Sequence, residues 1–238
     1  MTAHISFAPA VRSQFSGRVS TQIKTRERVR DLAEVYTHDR EVDAMLDLIP
    51  EMFPATAAGT DIKFLEPACG SGNFLVEILR RKLARITWKR IGAVGPYEHR
   101  LLRAVASLYG VDICAENVAE ARGRMLDVVR EHYYADANAI EPTAGFRTAA
   151  TTILDTNIVR ADMLAEARTT EVIDYRAGCN GTFTRVWSML DDSASNHEPD
   201  LFSPEPELKV DEVPVHYSDV AQHPHPTRLP KTGAVRRA

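Results

Sequence analysis

The stretch that decides the fold is Leu65-Glu66-Pro67-Ala68-Cys69-Gly70-Ser71-Gly72-Asn73-Phe74-Leu75. The apolar residues at 62–65 before it predict a short buried strand. Gly70 and Gly72 allow the backbone to turn tightly and to approach a ligand where a Cβ atom would clash. A helix beginning at Asn73 would point its free amide groups into that turn. The pattern predicts either a ligand-binding turn or an ordinary strand-turn-helix corner.

Strands and helices alternate on both sides of this stretch. Leu108–Ile113 predicts a second strand, Asn157–Arg160 a third and Val172–Tyr175 a weaker fourth. Apolar residues at helical spacing predict helices over about 25–36, 42–53, 73–92, 97–107 and 118–128. Strands that alternate with helices indicate a parallel sheet, and therefore an α/β fold.

The chain divides into three predicted segments. Residues 1–24 are polar without a clear period and predict a mobile arm, and residues 25–190 predict the folded domain. Residues 191–238 hold seven of the thirteen prolines and an acidic stretch, which predicts an irregular tail. Within that tail, Val213–Tyr217 could still pair or dock.

Composition excludes several classes of protein. The 238 residues are 44% hydrophobic and 26% charged, with no apolar stretch near the roughly 20 residues of a membrane span. Cys69, Cys114 and Cys179 are far apart and form no Cys-x-x-Cys pair, so neither a disulfide framework nor a zinc site is indicated. We expect a cytoplasmic protein without a structural metal.

Three acidic residues follow three of the predicted strands. Glu66 ends the first strand, Asp112 ends the second and Asp162 lies just beyond the third. The carboxyl ends of parallel strands share one edge of the sheet, where ligands of open α/β sheets bind. Carboxylates there can accept hydrogen bonds from ribose hydroxyls, an ammonium group or an adenine amine. Each acid alone could instead cap a loop.

These motifs together resemble the adenine-specific DNA methyltransferases of restriction-modification systems, over about residues 24–164. The glycine turn, Asp112 in Tyr-Gly-Val-Asp-Ile and Asp162 in Arg-Ala-Asp-Met-Leu match its cofactor motifs. Ala33–His38 is similar to its upstream Phe-Thr-Pro motif, with His38 in place of the proline. The resemblance implies a Rossmann-like fold that binds S-adenosylmethionine, here with a truncated parallel sheet, N-terminal helices and an irregular C-terminal tail. It assigns cofactor contacts to Tyr36, Thr37, Glu66, Ala68, Gly70, Gly72, Asp112, Ile113, Asp162 and Met163.

The catalytic motif of that family, Asn/Asp-Pro-Pro-Tyr/Phe, does not occur in this chain. The enzymes use it to hold a flipped-out adenine against the methyl group of the cofactor. The nearest candidate is Asn180-Gly181-Thr182-Phe183, in which Asn180 would accept from the adenine amine and Phe183 would stack on the base. The alternative is a plain hairpin turn, because Asn-Gly is a strong turn signal.

A basic segment predicts contacts with nucleic acid. The net charge of −4 is not that of a protein that coats DNA, so such contacts need a local patch. Residues 80–103 are rich in arginine and lysine, and Arg81, Arg85, Lys89 and Arg90 are the candidate contacts to DNA phosphates. A solvated helix face explains the pattern equally well.

The resemblance therefore leaves three functions open. The first is methyl transfer to the exocyclic amine of adenine in DNA, with Asn180–Phe183 or a partner chain completing the site. The second is a non-catalytic cofactor-binding or interaction subunit that docks onto another methyltransferase or specificity subunit. The third is a methyltransferase acting on RNA or protein, or a nucleotide-binding protein of another kind.

Overall fold

The computed structural model describes residues 37–54, 56–137, 140–190 and 210–226. Its α-helices are α1 (Asp39–Leu46), α2 (Asn73–Leu83), α3 (Trp88–Ile91), α4 (Val94–Ala106), α5 (Ala115–Asp136) and α6 (Ala144–Asn157). Its strands are β1 (Phe64–Glu66), β2 (Leu108–Asp112), β3 (Ile158–Arg160), β4 (Glu171–Ala177), β5 (Thr182–Met189) and β6 (Val215–His216). Short 3₁₀ helices cover Pro50–Met52, Ala57–Asp61 and Tyr217–Asp219. The predicted helix over 25–36 and the predicted arm over 1–24 lie outside the described residues.

A three-stranded parallel sheet forms the centre of this mixed α/β fold. Its order is β1-β2-β3, with Phe64 opposite Leu108 and Asp112 opposite Arg160. β2 is the central strand, and its residues from Leu108 to Val111 are buried. β1 is an edge strand, so Leu65 is 44% exposed and the prediction of a buried strand is wrong there.

The helices pack around β2. α2 lies beside α5, α4 lies beside α6, and the core is built from their fully buried leucine, isoleucine and tyrosine side chains, among them Leu75, Leu79, Leu101, Tyr133 and Ile153. α6 was absent from the predicted elements although its start carries a cap, since the Thr143 hydroxyl accepts from the Phe146 amide at 3.1 Å. The predicted helix over 73–92 is divided: α2 ends at Leu83 and α3 begins at Trp88.

The strand predicted at 172–175 does not join the parallel sheet. As β4 it pairs antiparallel with β5, and β5 pairs antiparallel with β6. β4 passes the amino ends of the parallel strands, where the Ile173 amide donates to Asn157 Oδ1 at 3.0 Å and the Asp174 carboxylate pairs with Lys63 at 2.7 Å. The β4–β5 hairpin turn therefore lies at the amino edge of the parallel sheet.

Part of the predicted irregular tail is ordered. In residues 210–226, β6 pairs with β5, as the sequence allowed, and the Tyr217 hydroxyl donates to buried Glu98 Oε2 at 2.7 Å. Asp211 accepts from the backbone amide and guanidinium of Arg185 at 2.8 to 3.0 Å. Their side chains are only 1% and 2% exposed, so this part of the chain belongs to the folded domain. The boundary predicted at residue 191 therefore leaves out residues 210–226, which pack onto the domain, and the remaining tail residues lie outside the described part of the chain.

Candidate functional site

Hydrogen bonds join the segments that follow the three parallel strands. The Cys69 amide donates to Val111 O at 2.8 Å, and the Ala161 amide donates to Asp112 O at 3.1 Å. The glycine turn, the end of β2 and the start of the loop after β3 therefore lie side by side at the carboxyl edge of the sheet. This is the edge at which ligands of open α/β sheets bind.

The Asp112 carboxylate holds this edge together. Its Oδ2 accepts from the Gly70 amide at 2.8 Å, and its Oδ1 accepts from the Cys114 amide at 2.8 Å and from Asn117 Nδ2 at 3.2 Å. An ionised carboxylate offers about four acceptor positions. Three are occupied, so Asp112 can accept one further hydrogen bond while it keeps the glycine turn in place.

The two glycines of the turn serve different needs. Gly72 has a φ of 85°, and a Cβ there would lie 2.9 Å from the Ala121 Cβ of α5, so glycine permits the close approach of the turn and that helix. Gly70 has a φ of 52°, and a Cβ there would meet no atom within 4 Å. Positive φ favours glycine at both positions, and Gly70 faces open space.

The segment upstream of the first strand reaches the same turn. Thr37 O accepts from Asn73 Nδ2 at 2.9 Å, at the first position of α2. Arg124 Nη1 of α5 donates to Asn73 Oδ1 and to Ser71 O, both at 2.7 Å. The structure thus brings Thr37 to the glycine turn, while Tyr36 lies outside the described residues.

Asn73, Asn117 and Arg124 are positioning residues that the sequence interpretation missed. The sequence contains a signal for the roles of Asn73 and Asn117, because each lies in the first turn of a helix that follows a candidate motif. The sequence contains no such signal for Arg124, because its hydrogen-bond partners lie about fifty residues away in the sequence.

Glu66 is a half-buried carboxylate at the end of β1. Burial raises its pKa above the ordinary value, and the hydrogen bond from the Ala68 amide opposes that rise. Within the described part of the chain, no lysine, arginine or histidine pairs with Glu66. A cation placed beside it would lower its pKa and stabilise the ionised form.

Asp162 is engaged in its own loop. Its Oδ1 accepts from the Leu164 amide at 2.9 Å and from the Ala165 amide at 3.2 Å, which is the loop-capping geometry. Beside it, Met163 is half-buried and Leu164 is 99% exposed. Ile113, directly after Asp112, is 51% exposed. The carboxyl edge therefore offers apolar side chains to solvent next to its carboxylates.

The predicted catalytic pair does not reach this edge. Asn180 and Gly181 have φ values of 53° and 77° and close the β4–β5 hairpin, and the Thr182 amide donates to Cys179 O at 3.1 Å. Neighbouring Gly178 lines a cavity of about 530 Å³ with Lys63 and Ser107, the residues that precede β1 and β2. Asn180 is thus at the opposite edge from Gly70.

Phe183 is a core residue. Its ring is fully buried, 4.7 Å from the His99 ring centre and 5.7 Å from that of Tyr175. Burial, together with Arg103, lowers the pKa of His99 to about 4, so a neutral imidazole packs against Phe183. The predicted catalytic role of Asn180 and Phe183 is corrected on geometric grounds, because Phe183 has no face to offer a base.

The basic segment separates into paired and unpaired residues. Arg81 donates to Asp47 Oδ1 at 2.7 Å, Glu77 Oε1 at 3.0 Å and Asp43 Oδ1 at 3.2 Å, which joins α1 to α2. Its predicted phosphate contact is therefore corrected, because its guanidinium is neutralised within the fold. Arg85, Lys89 and Arg90 are exposed.

Comparison with protein-family models, curated proteins and solved structures finds no match to this chain. In the part of the chain that the structure describes, no helix combines the length and apolar character needed to cross a bilayer. Cys69, Cys114 and Cys179 form no disulfide, and burial raises the pKa of Cys69 to about 12.

Proposed function

We propose that this chain binds S-adenosylmethionine at the carboxyl edge of its parallel sheet, as a DNA methyltransferase-like protein. The observation that carries the proposal is the hydrogen bond between the Gly70 amide and Asp112 Oδ2, which unites the glycine turn with the acid at the end of β2. The contact between Thr37 and Asn73 adds one residue of the upstream motif to the same place. These are three of the motifs on which the resemblance rests.

The chemistry of the edge suits this cofactor. The remaining acceptor position of Asp112 would take a ribose hydroxyl, and the exposed side chains of Ile113 and Leu164 would cover an adenine ring. S-adenosylmethionine carries a sulfonium and an ammonium group, and the half-buried carboxylate of Glu66 would pair with such a cation. Met163 and Ala68, beside these residues in the sequence, would add further contacts to the cofactor.

Methyl transfer to adenine would need a base pocket at this edge from a second chain. Asn180 lies at the opposite edge and Phe183 is buried, so these two residues do not supply it. The same observation favours a second candidate function, a non-catalytic cofactor-binding subunit. Transfer of a labelled methyl group to unmethylated DNA, with and without co-purifying partners, separates the two functions. Arg85, Lys89 and Arg90 remain the proposed contacts to DNA.

Calorimetric titration with S-adenosylmethionine tests the shared claim. The wild-type chain is expected to bind, and Ile113→Ser should weaken binding by about tenfold, because it removes roughly 1–2 kcal/mol of apolar contact. Ile113 is 51% exposed, so the substitution leaves the fold intact. Val213→Ser, at a 71% exposed residue of the C-terminal segment, is the matched control and should bind like the wild type. Absence of heat at millimolar cofactor, or equal affinity of both variants, would refute the proposal.

A further inference from the structure

A second concave site lies at the end of α2, away from the glycine turn. It is a cavity of about 280 Å³ between the loop that follows α2, the helices α3 and α4, and the 3₁₀ helix Ala57–Asp61 with Thr56 before it. Three arginines and three threonines line it: Arg85, Arg90, Arg100, Thr56, Thr60 and Thr87. Its lining contains no acidic residue. The 11-residue α2 separates it from Gly72 by about 16 Å, at 1.5 Å per residue.

Unlike Arg81 and Arg103, the three arginines have no carboxylate within 4 Å among the described residues. Arg81 pairs with three acids, and Arg103 pairs with Asp61, so nearby carboxylates are already used. Burial and the charge of Arg103 lower the pKa of Arg100, and the attraction of Asp61 offsets only part of that lowering. Unpaired charges that share one recess repel one another, and an anion between them would offset that cost.

A buried lysine lies behind the Thr60 wall of the cavity, and burial lowers its pKa to about 7. Lys82 is 3% exposed, and its Nζ donates to Thr60 O at 3.2 Å and to Ser107 Oγ at 2.6 Å, directly behind the cavity wall. Its other acceptor is Ile62 O. Three guanidinium groups therefore line a space whose other polar side chains are threonine hydroxyls.

We propose that this cavity binds a phosphate group, through the guanidinium groups of Arg85, Arg90 and Arg100. Guanidinium forks match the geometry of phosphate oxygens, and the threonine hydroxyls can donate to the remaining ones. The cavity volume of about 280 Å³ is several times the roughly 30 Å³ that one water occupies in the liquid. The cavity therefore holds a phosphate together with a small organic substituent. Ile86 and Ile91 would contact that substituent. The phosphate can come from a small phosphorylated molecule or from DNA.

Inorganic phosphate is the first probe. Thermal unfolding of the full chain is followed in phosphate and in chloride at matched ionic strength, and the dissociation constant is taken from the phosphate dependence of the melting temperature. Phosphate should stabilise the wild type, and Arg100→Gln should weaken binding about tenfold or more, because a charge-assisted contact is lost. Arg80→Gln is the matched control, since it removes the same charge from α2 outside the cavity. Absence of stabilisation in the wild type, or the same phosphate response in Arg100→Gln, contradicts a small-molecule site.

Duplex DNA is the second probe and identifies the source of the phosphate. If the phosphate belongs to DNA, Arg100→Gln weakens DNA binding more than Arg80→Gln does, and inorganic phosphate competes with DNA. The proposal is overturned if neither phosphate nor DNA binding depends on Arg100. The phosphate arm contains no S-adenosylmethionine, so its outcome is independent of the proposed cofactor site.

Discussion

Replacing Asp112 with alanine should loosen the glycine turn. The substitution removes the acceptor of three hydrogen bonds, from the amides of Gly70 and Cys114 and from Asn117 Nδ2. A hydrogen bond contributes roughly 0.5–1.5 kcal/mol net, and more when the acceptor is charged. Water can reach this half-buried site and replace part of the loss, so we expect a decrease of about 2–4 kcal/mol in the free energy of unfolding.

Urea unfolding followed by circular dichroism measures this loss. Asp112→Asn keeps one carbonyl oxygen and should lose about half as much. Asp127→Ala is the control, because Asp127 is an exposed acid of α5 that pairs with Arg130, and such surface pairs contribute at most about 1 kcal/mol. A stability of Asp112→Ala equal to that of Asp127→Ala would refute the claim that this carboxylate holds the turn.

Three further predictions concern packing and charge. Gly72→Ala should lower the free energy of unfolding by about 1–3 kcal/mol, because Gly72 has a positive φ and lies close to α5. Gly123→Ala is the control and should stabilise the protein slightly, because no atom lies near the position of its Cβ. Equal effects of the two substitutions in urea unfolding would contradict this prediction. Asp211→Asn leaves the buried guanidinium of Arg185 without its anion and should cost about 3–5 kcal/mol, and unchanged stability would contradict a stabilising ion pair. The affinity for the proposed cofactor should fall as the pH drops through the raised pKa of Glu66, because only the ionised carboxylate attracts a cation. The Glu66→Gln variant should lose this pH dependence. If the variant keeps the pH dependence, Glu66 is not its source.

The carboxyl edge could be predicted from the sequence because parallel strands impose it. Glu66, Asp112 and Asp162 each follow an apolar run that predicts a strand. Because parallel strands end at the same edge of a sheet, these acids are expected at one edge regardless of how the helices pack. The structure brings Asp112 to Gly70 by a hydrogen bond and places the Ala161–Asp162 segment beside Asp112. Their proximity could therefore be predicted from the local sequence pattern and the parallel arrangement of the strands.

The catalytic prediction failed because spacing along the chain does not fix strand direction. Asn180-Gly181 was compatible with a catalytic loop and with a hairpin, and the positive φ of both residues shows the hairpin. That turn sends β5 back along β4 and buries Phe183. The pairing of Arg185 with Asp211, across a proline-rich segment, likewise depends on tertiary contacts that no local pattern records.

The same limit applies to the arginines near the C-terminal end of α2. Arg81 lies in α2 and Arg85 lies just beyond it, and the two look equivalent in the sequence because they are four residues apart. Arg81 faces the acids Asp43 and Asp47 of the α1 region, whereas Arg85 faces a cavity that contains no carboxylate. Which arginine is free therefore depends on the packing of α1 against α2.

Amide spectra of the ¹⁵N-labelled chain during a titration with S-adenosylmethionine test the central claim most directly. The Gly70 amide donates to Asp112, and the Cα of Gly70 borders open space at the proposed site, while Gly181 lies in the hairpin at the opposite edge of the sheet. We expect the resonances of Gly70 and Gly72 to shift as cofactor is added and that of Gly181 to stay in place. Unshifted resonances of Gly70 and Gly72 at millimolar cofactor, or shifts centred on Gly181, would contradict the proposed binding site.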